Sequence, residues 1–273
     1  MLKIGQISYL NCIPIFSALK ELYPDGDYEY VQGVPSNLNQ QLRDGAIGIS
    51  PSSSIEYALH PDLYCFIPDI SISAVGEVKS VMLFSNQPIA ALDGAEIGLT
   101  SDSATSVILL KIILNKYLKF QNTFTVTNKS VAEGLKEFSA LLLIGDHALS
   151  ESLADHSGCF VYDMGSLWHQ YTGLPFVFAL WLVREDIYRK SGDEVAAFKG
   201  RLLAAKYKSL ESFDKIAEIC KVNTGLSRNV LMNYWRTISY DLTSEHIAGL
   251  RLFFKSAYEC SLIDAEPPLK VVV

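Results

Sequence analysis

Four short polar stretches carry the residues best suited to hold a ligand: Ser8–Asn11, Ser50–Ser54, Ser101–Ser106 and Gly145–Asp146. Each follows a short apolar run, in turn "LKIGQI", "AIGI", "AEIGL" and "ALLLI". Hydroxyls and a carboxamide are neutral hydrogen-bond donors. The first three stretches lead into helical patterns, and a helix start adds free backbone N–H groups and a partial positive charge. That combination suits a carboxylate-bearing ligand without arginine, and no arginine lies in any of the four. Serines at helix starts ordinarily cap the helix. The case for a site therefore rests on recurrence of the clusters at equivalent positions, and Ser8, Ser50, Ser52, Ser101, Thr105 and Ser106 are its candidates. Asn11 can be a turn residue ahead of Pro14, or it can orient a substrate hydroxyl or carboxylate. An amide does not titrate near neutral pH, so its chemistry is placement. Acidic residues are sparse in these stretches, Asp146 being the main exception, with His147 beside it.

The elements that must position these residues alternate. "LKIGQI", "YEYVQGVP", "AIGISP", "YCFIPDISISAVG" and "KSVMLFSN" read as strands. "IPIFSALKELY", with Pro14 in its first turn, "PSNLNQQLRDG" and "SSSIEYALH" read as helices. Near Asn86–Pro88 the pattern restarts. "AEIGLT", "NTFTVTN" and "SALLLIGDHAL" are strands, the last running into a loop. "SDSATSVILLKIILNKYL" is a helix, and "SVAEGLKEF" is a helix opened by a Ser130–Glu133 capping box. "CFVYDMGSLWHQYTGLPFVFALWLV" has a strand at each end, and the chain after Arg184 is almost all helical. Strands separated by helices imply parallel pairing in an α/β sandwich. In such sheets ligands bind beyond the carboxyl ends of the strands. The economical arrangement is two lobes, residues 1–86 with 182–273 and residues 87–181, joined by crossings near 84–88 and 176–183 that form a hinge beside a ligand cleft.

The bulk numbers exclude several classes. With 273 residues, 49% hydrophobic, the chain can bury a sizeable core. A net charge of −7 with no lysine or arginine cluster speaks against nucleic acid. "VFALWLV" and "SVILLKIIL" are too short to span a membrane, and Gly5, Gln6, Ser8 and Asn11 interrupt any export signal. The cysteines at 12, 65, 159, 220 and 260 form no CxxC pair. That argues against zinc or a disulfide framework and for a reducing cytoplasm. There is no GxSxG, P-loop, HExxH or GxGxxG after the first strand, so no metal or cofactor is expected. Nothing here sets an oligomeric state.

In order along the chain, "SYLNCIP", "SPSSSIEYA", "SVMLFS", "LTSDSATS", "LLIGDHAL" and "WHQYTGLPFVFALW" resemble the chorismate dehydratase family of the futalosine route to menaquinone. The resemblance implies an α/β, two-lobed, type II periplasmic-binding-protein-like fold, each lobe a mixed sheet flanked by helices. It implies a cytoplasmic, cofactor-free lyase that removes water from chorismate to give 3-[(1-carboxyvinyl)oxy]benzoate. Asn11 would be its catalytic residue. Ser80, Ser101, Thr105 and Ser106 would hold carboxylates or the hydroxyl, with Asp146 and Thr172 as further candidates. Two other readings stay open. One is the sister lyase that makes 1,4-dihydroxy-6-naphthoate, whose opening turn differs from "YLNCIP". The other is a binding module that leaves its ligand unchanged.

Overall fold

A computed structural model describes residues 2–24, 28–101 and 103–273. Along the chain run β1 (Leu2–Ile7), α1 (Ile13–Leu22), β2 (Tyr28–Gly33), α2 (Pro35–Arg43), β3 (Ile49–Ser53), α3 (Ser54–Leu59), β4 (Tyr64–Ala74), β5 (Val81–Ser85) and β6 (Glu96–Leu99). Then come α4 (Ala104–Ile112), β7 (Thr123–Val126), α5 (Val131–Gly134), β8 (Ala140–Ile144), α6 (Gly145–Ser152), β9 (Phe160–Asp163) and α7 (Met164–Thr172). The last elements are β10 (Phe176–Arg184), α8 (Glu185–Lys190), α9 (Gly192–Thr224), α10 (Arg228–Thr237) and α11 (Ser244–Glu259).

Contacts divide the chain into two units. The first is Met1–Ser73, Val177–Thr243 and Pro267–Val273; the second is Ala74–Phe176 and Ser244–Glu266. Relative to the expected lobes, residues 74–86 and 244–266, which include α11, therefore cluster with the second unit, and residues 177–181 with the first. The reason for α11 is its buried face. Phe253 packs edge-on against Trp168 and Phe176, with the Phe176 and Phe253 ring centroids 4.9 Å apart. Gly249 lets that helix touch backbone, since a Cβ there would lie 2.1 Å from the Pro175 carbonyl oxygen.

Each unit has one five-stranded mixed sheet, ordered β2-β1-β3-β10-β4 and β7-β6-β8-β5-β9. The parallel pairing expected from alternating strands and helices holds for β1 with β2 and β3, and for β6 with β7 and β8. It fails for β10, antiparallel to β3, and for β5, antiparallel to β8 and β9. An apolar run reads the same in either direction, so its sequence does not reveal its sense.

In the first unit, Ile15, Phe16, Ala18 and Leu19 of α1 are buried. Phe16 meets Trp181 of β10 at 5.4 Å between rings, and Trp181 meets Phe198 of α9 at 6.1 Å. In the second unit, Met82 and Phe84 pack with Val131, Leu141, Leu143 and Ala148. Each fully buried large apolar side chain contributes about 1.5–3 kcal/mol, so packing rather than helix propensity holds the short helices. The helix expected over "SDSATSVILLKIILNKYL" is α4 followed by one π-helical turn, Ile113–Tyr117. The Ser130–Glu133 capping box forms as expected. Among the described residues no helix is long and apolar enough to cross a membrane.

Candidate active site

In the first unit, β1 and β3 are neighbours, so their carboxyl ends bring two of the four polar stretches to one sheet edge. After Ile7 the exposed Ser8 donates its N–H to Gly33 O at 3.3 Å. A tight turn follows, with Cys12 N–H to Tyr9 O at 3.0 Å and Ile13 N–H to Leu10 O at 3.3 Å. Asn11 rides on this turn, half-buried. Its side-chain Oδ1 is buried and has no hydrogen-bond partner among the described residues. The turn is held from behind. Trp235 Nε1 of α10 donates to Leu10 O at 2.8 Å, and the Tyr240 hydroxyl donates to Asn11 O at 2.8 Å. Burial pushes the Tyr240 hydroxyl well above its usual 10, so it stays protonated and donates.

On β3, Ser50 is buried and donates to Pro51 O at 2.9 Å. It can sit there because position 5 is glycine: a Cβ on Gly5 would lie 2.4 Å from Ser50 Oγ. The serines expected to cap α3 do not do so through their side chains. Ser53 Oγ instead accepts from Asn39 Nδ2 of α2 at 3.3 Å. Ser52 and Ser54 are fully buried, and their hydroxyls, like Asn39 Oδ1 and Gln6 Oε1, have no partner among the described residues. A buried polar group left unpaired costs about 1–3 kcal/mol. Five such atoms, on Gln6, Asn11, Asn39, Ser52 and Ser54, come from β1, the turn after it, α2 and the β3–α3 junction. Sequence reasoning missed Gln6 and Asn39, and took in Ser54 only as the end of the Ser50–Ser54 stretch. Asn39 had a signal, because it follows Leu38 on the face that Leu38 and Leu42 bury at four-residue spacing.

In the second unit, β6, β8 and β5 are successive neighbours, and the structure gathers three candidate groups at one edge of that sheet. Ser80 is buried just before β5, and its carbonyl accepts Gly145 N–H at 2.8 Å. Asp146 follows Gly145 at the start of α6. The sequence read a loop here. A helix forms because Gly145 takes a φ of +66°, which turns the chain sharply out of β8. Beyond β6, Ser103 caps α4. Its Oγ accepts Ser106 N–H at 3.2 Å and donates to Ser106 Oγ at 3.0 Å. Thr105 and Ser106 are buried, while the exposed Ser101 bonds Asn128 Oδ1 at 3.3 Å. Asp102, within this stretch, lies outside the described residues.

Thr172 is set apart from that group. It closes α7, donating to Trp168 O at 2.8 Å and accepting Leu174 N–H at 3.1 Å. At a rise of 1.5 Å per residue, the opposite end of this helix is about 12 Å away. That opposite end is held by Asp163, which sequence reasoning also passed over. Its carboxylate accepts Ser166 N–H at 3.0 Å, Val78 N–H at 3.0 Å and Lys79 N–H at 2.7 Å. It thereby ties the loop ahead of Ser80 to the start of α7. Gly165 permits the approach, since a Cβ there would lie 2.4 Å from Gly76 O. Burial pushes the Asp163 carboxyl above its usual 3.8, and the N–H bonds from Ser166, Lys79 and Val78 pull it back. Among the described residues no three His, Cys, Asp or Glu side chains converge as metal ligands.

Two mixed α/β units of this kind, with polar turns at their sheet edges, have the periplasmic-binding-protein-like fold. Protein AF1704 from Archaeoglobus fulgidus superposes with a TM-score of 0.76 at 19% identity, over 96% of this chain and 98% of that one. The periplasmic aliphatic sulphonate binding protein SsuA from Escherichia coli gives 0.69 at 16% identity, over 97% and 89%. Likeness at this identity shows the fold alone. Sequence goes further. The menaquinone biosynthesis family model matches residues 2–259. The chorismate dehydratase of Thermus thermophilus is 30% identical over 264 residues, 92% of this chain and 93% of its own length. That of Campylobacter jejuni is 32% identical over 181 residues, 64% of each. The chain belongs to the menaquinone biosynthesis family, and the resemblance read from its motifs is borne out.

Proposed function

We propose that this chain is a chorismate dehydratase acting in menaquinone biosynthesis, in the cytoplasm, on a free small-molecule substrate. The observation that carries the reading is family membership along nearly the whole chain. In the reaction a proton leaves C3 of chorismate and the hydroxyl leaves C4. The ring becomes aromatic, and 3-[(1-carboxyvinyl)oxy]benzoate and one water result.

The residues supply what that chemistry needs. The substrate has two carboxylates, and the candidate clusters offer hydroxyls and helix-start N–H groups rather than cations. Asn11 is the catalytic residue of this reading. Its amide orients the enolpyruvyl carboxylate, which itself takes the C3 proton, and its unpaired Oδ1 accepts from the C4 hydroxyl. Holding reacting groups in line is worth several powers of ten in rate. Ser8, Ser50, Ser52, Ser80, Ser101, Thr105 and Ser106 are the candidate hydroxyls for substrate oxygens. Asp146, in the first turn of an eight-residue helix, is a further candidate, either as the acid for the leaving hydroxyl or as a tie for its own loop. Thr172 supports the end of α7 through its two bonds.

The test is direct. Purified protein is mixed with chorismate without metal or nucleotide, and the products are separated and weighed. Loss of one water with the ether side chain retained is expected. Unchanged chorismate from folded protein would overturn the reading in favour of the sister lyase or a binding module. Asn11→Asp should be nearly inactive, because a new negative charge repels the substrate carboxylate. Full activity in Asn11→Asp or Asn11→Ala removes Asn11 from the mechanism.

A further inference from the structure

We propose that Tyr240, together with Trp235, is a positioning residue for Asn11: two buried aromatic donors from the far end of the chain fix the peptide groups that aim its amide. This rests on the catalytic role given to Asn11 above. The turn from Ser8 to Cys12 lies between β1 and α1 and has a few backbone bonds of its own, among them Cys12 N–H to Tyr9 O and Ile13 N–H to Leu10 O. Two of its carbonyls are also held by side chains 225 and 229 positions away, Trp235 on Leu10 O, which Ile13 N–H shares, and Tyr240 on Asn11 O, both donors at 2.8 Å. Their residues are 0% and 2% exposed. Neither group has another donor to give: an indole and a phenol each carry one.

The Tyr240 segment is itself braced. Ser71 N–H bonds Tyr240 O at 3.1 Å, and Ser73 and Ser239 exchange both backbone bonds at 2.8 Å. Ser71 Oγ donates to Asp241 O. The buried Lys206 ammonium bonds Asp69 O at 2.7 Å and pairs with the Asp241 carboxylate. Three backbone bonds and a buried cation are more than an aromatic ring needs for packing alone. They hold the hydroxyl where it meets the Asn11 carbonyl. Fixing that carbonyl fixes the plane following the Asn11 Cα, and with it the direction in which the side chain leaves the backbone.

Tyr240→Phe removes one oxygen and keeps the ring. In a folded variant, kcat should fall about tenfold with KM within about twofold, as expected when alignment and not binding is lost. Trp235→Phe, which removes the other donor, should lower kcat in the same way and serves if Tyr240→Phe does not fold. The decisive readout is a double-mutant cycle on turnover. If Tyr240 acts through Asn11, Tyr240→Phe costs nothing more in an Asn11→Ala background. An equal loss in both backgrounds, read on the residual turnover of Asn11→Ala, or wild-type kcat in both folded single variants, overturns the inference while leaving a slowed Asn11→Ala to support the catalytic reading. Full activity of Asn11→Ala overturns that reading and this inference together.

Discussion

The two units hold their candidate turns by opposite chemistry. In the first, neutral donors on Trp235 and Tyr240 reach backbone carbonyls. In the second, a buried carboxylate, Asp163, gathers backbone N–H groups. The donor clamp costs little to bury, because each group makes its one bond. The carboxylate must be desolvated, and burial outweighs its N–H bonds enough to keep its pKa raised. A neutral clamp is insensitive to pH. A charged one is stronger per residue and titrates.

The largest expected effect tests that strength. Asp163→Ala strands three N–H groups, on Val78, Lys79 and Ser166, and should cost about 3 kcal/mol in denaturant unfolding. A cost below about 1 kcal/mol would sink the idea that this carboxylate organises the Ser80 loop. Next comes Gly165→Ala, whose Cβ would meet Gly76 O at 2.4 Å. It should cost about 2 kcal/mol, because backbone must move. Tyr240→Phe leaves one carbonyl without its donor and should cost about 1–2 kcal/mol, less than Asp163→Ala. If the order reverses, the neutral clamp is the stronger one.

The smallest effect is a trend with pH. A carboxyl raised above 3.8 in the native state keeps its proton there at pH values where the unfolded chain has lost it. Its contribution therefore favours the native state below about pH 4 and fades as pH rises through the native-state value. Asp163→Asn lacks that titration. Its Tm should gain on the wild type as pH rises above about 4, whereas the Tm difference for Tyr240→Phe should stay flat over the same range. Parallel curves for both variants would erase the distinction between the clamps.

How much of this was legible follows from what a sequence pattern encodes. Period and caps are local, so α1 with Pro14 and the Ser130–Glu133 box could be read directly. The polar turns could be read because they interrupt apolar runs. Strand sense could not be read from the pattern, so the antiparallel partners β5 and β10 do not stand out in it, although the resemblance implied mixed sheets. The helix α6 was hidden because its first residue is Gly145, which in a pattern signals a stop. Nothing in the pattern singles out Asp163, Trp235 or Tyr240. Their value lies in single polar atoms that reach distant backbone. Asn39 was missed for a related reason: one amide among leucines stands out only when its partners are counted.

The threading of the chain sets a schedule for its synthesis. Phe66 in β4 exchanges backbone bonds with the last stretch, its N–H to Lys270 O at 3.0 Å and its O with Val272 N–H at 2.9 Å, while the Tyr57 hydroxyl donates to Pro268 O. Trp235 and Tyr240 also emerge long after the turn they hold. At roughly 5–20 residues per second on a ribosome, Phe66 waits on the order of ten seconds or more for its partners. The second unit in turn waits for α11. Both units are thus completed almost together, at residues 266 and 273. The β1 turn must stay unclamped through most of translation, a long interval in which a nascent first unit is open to chaperones.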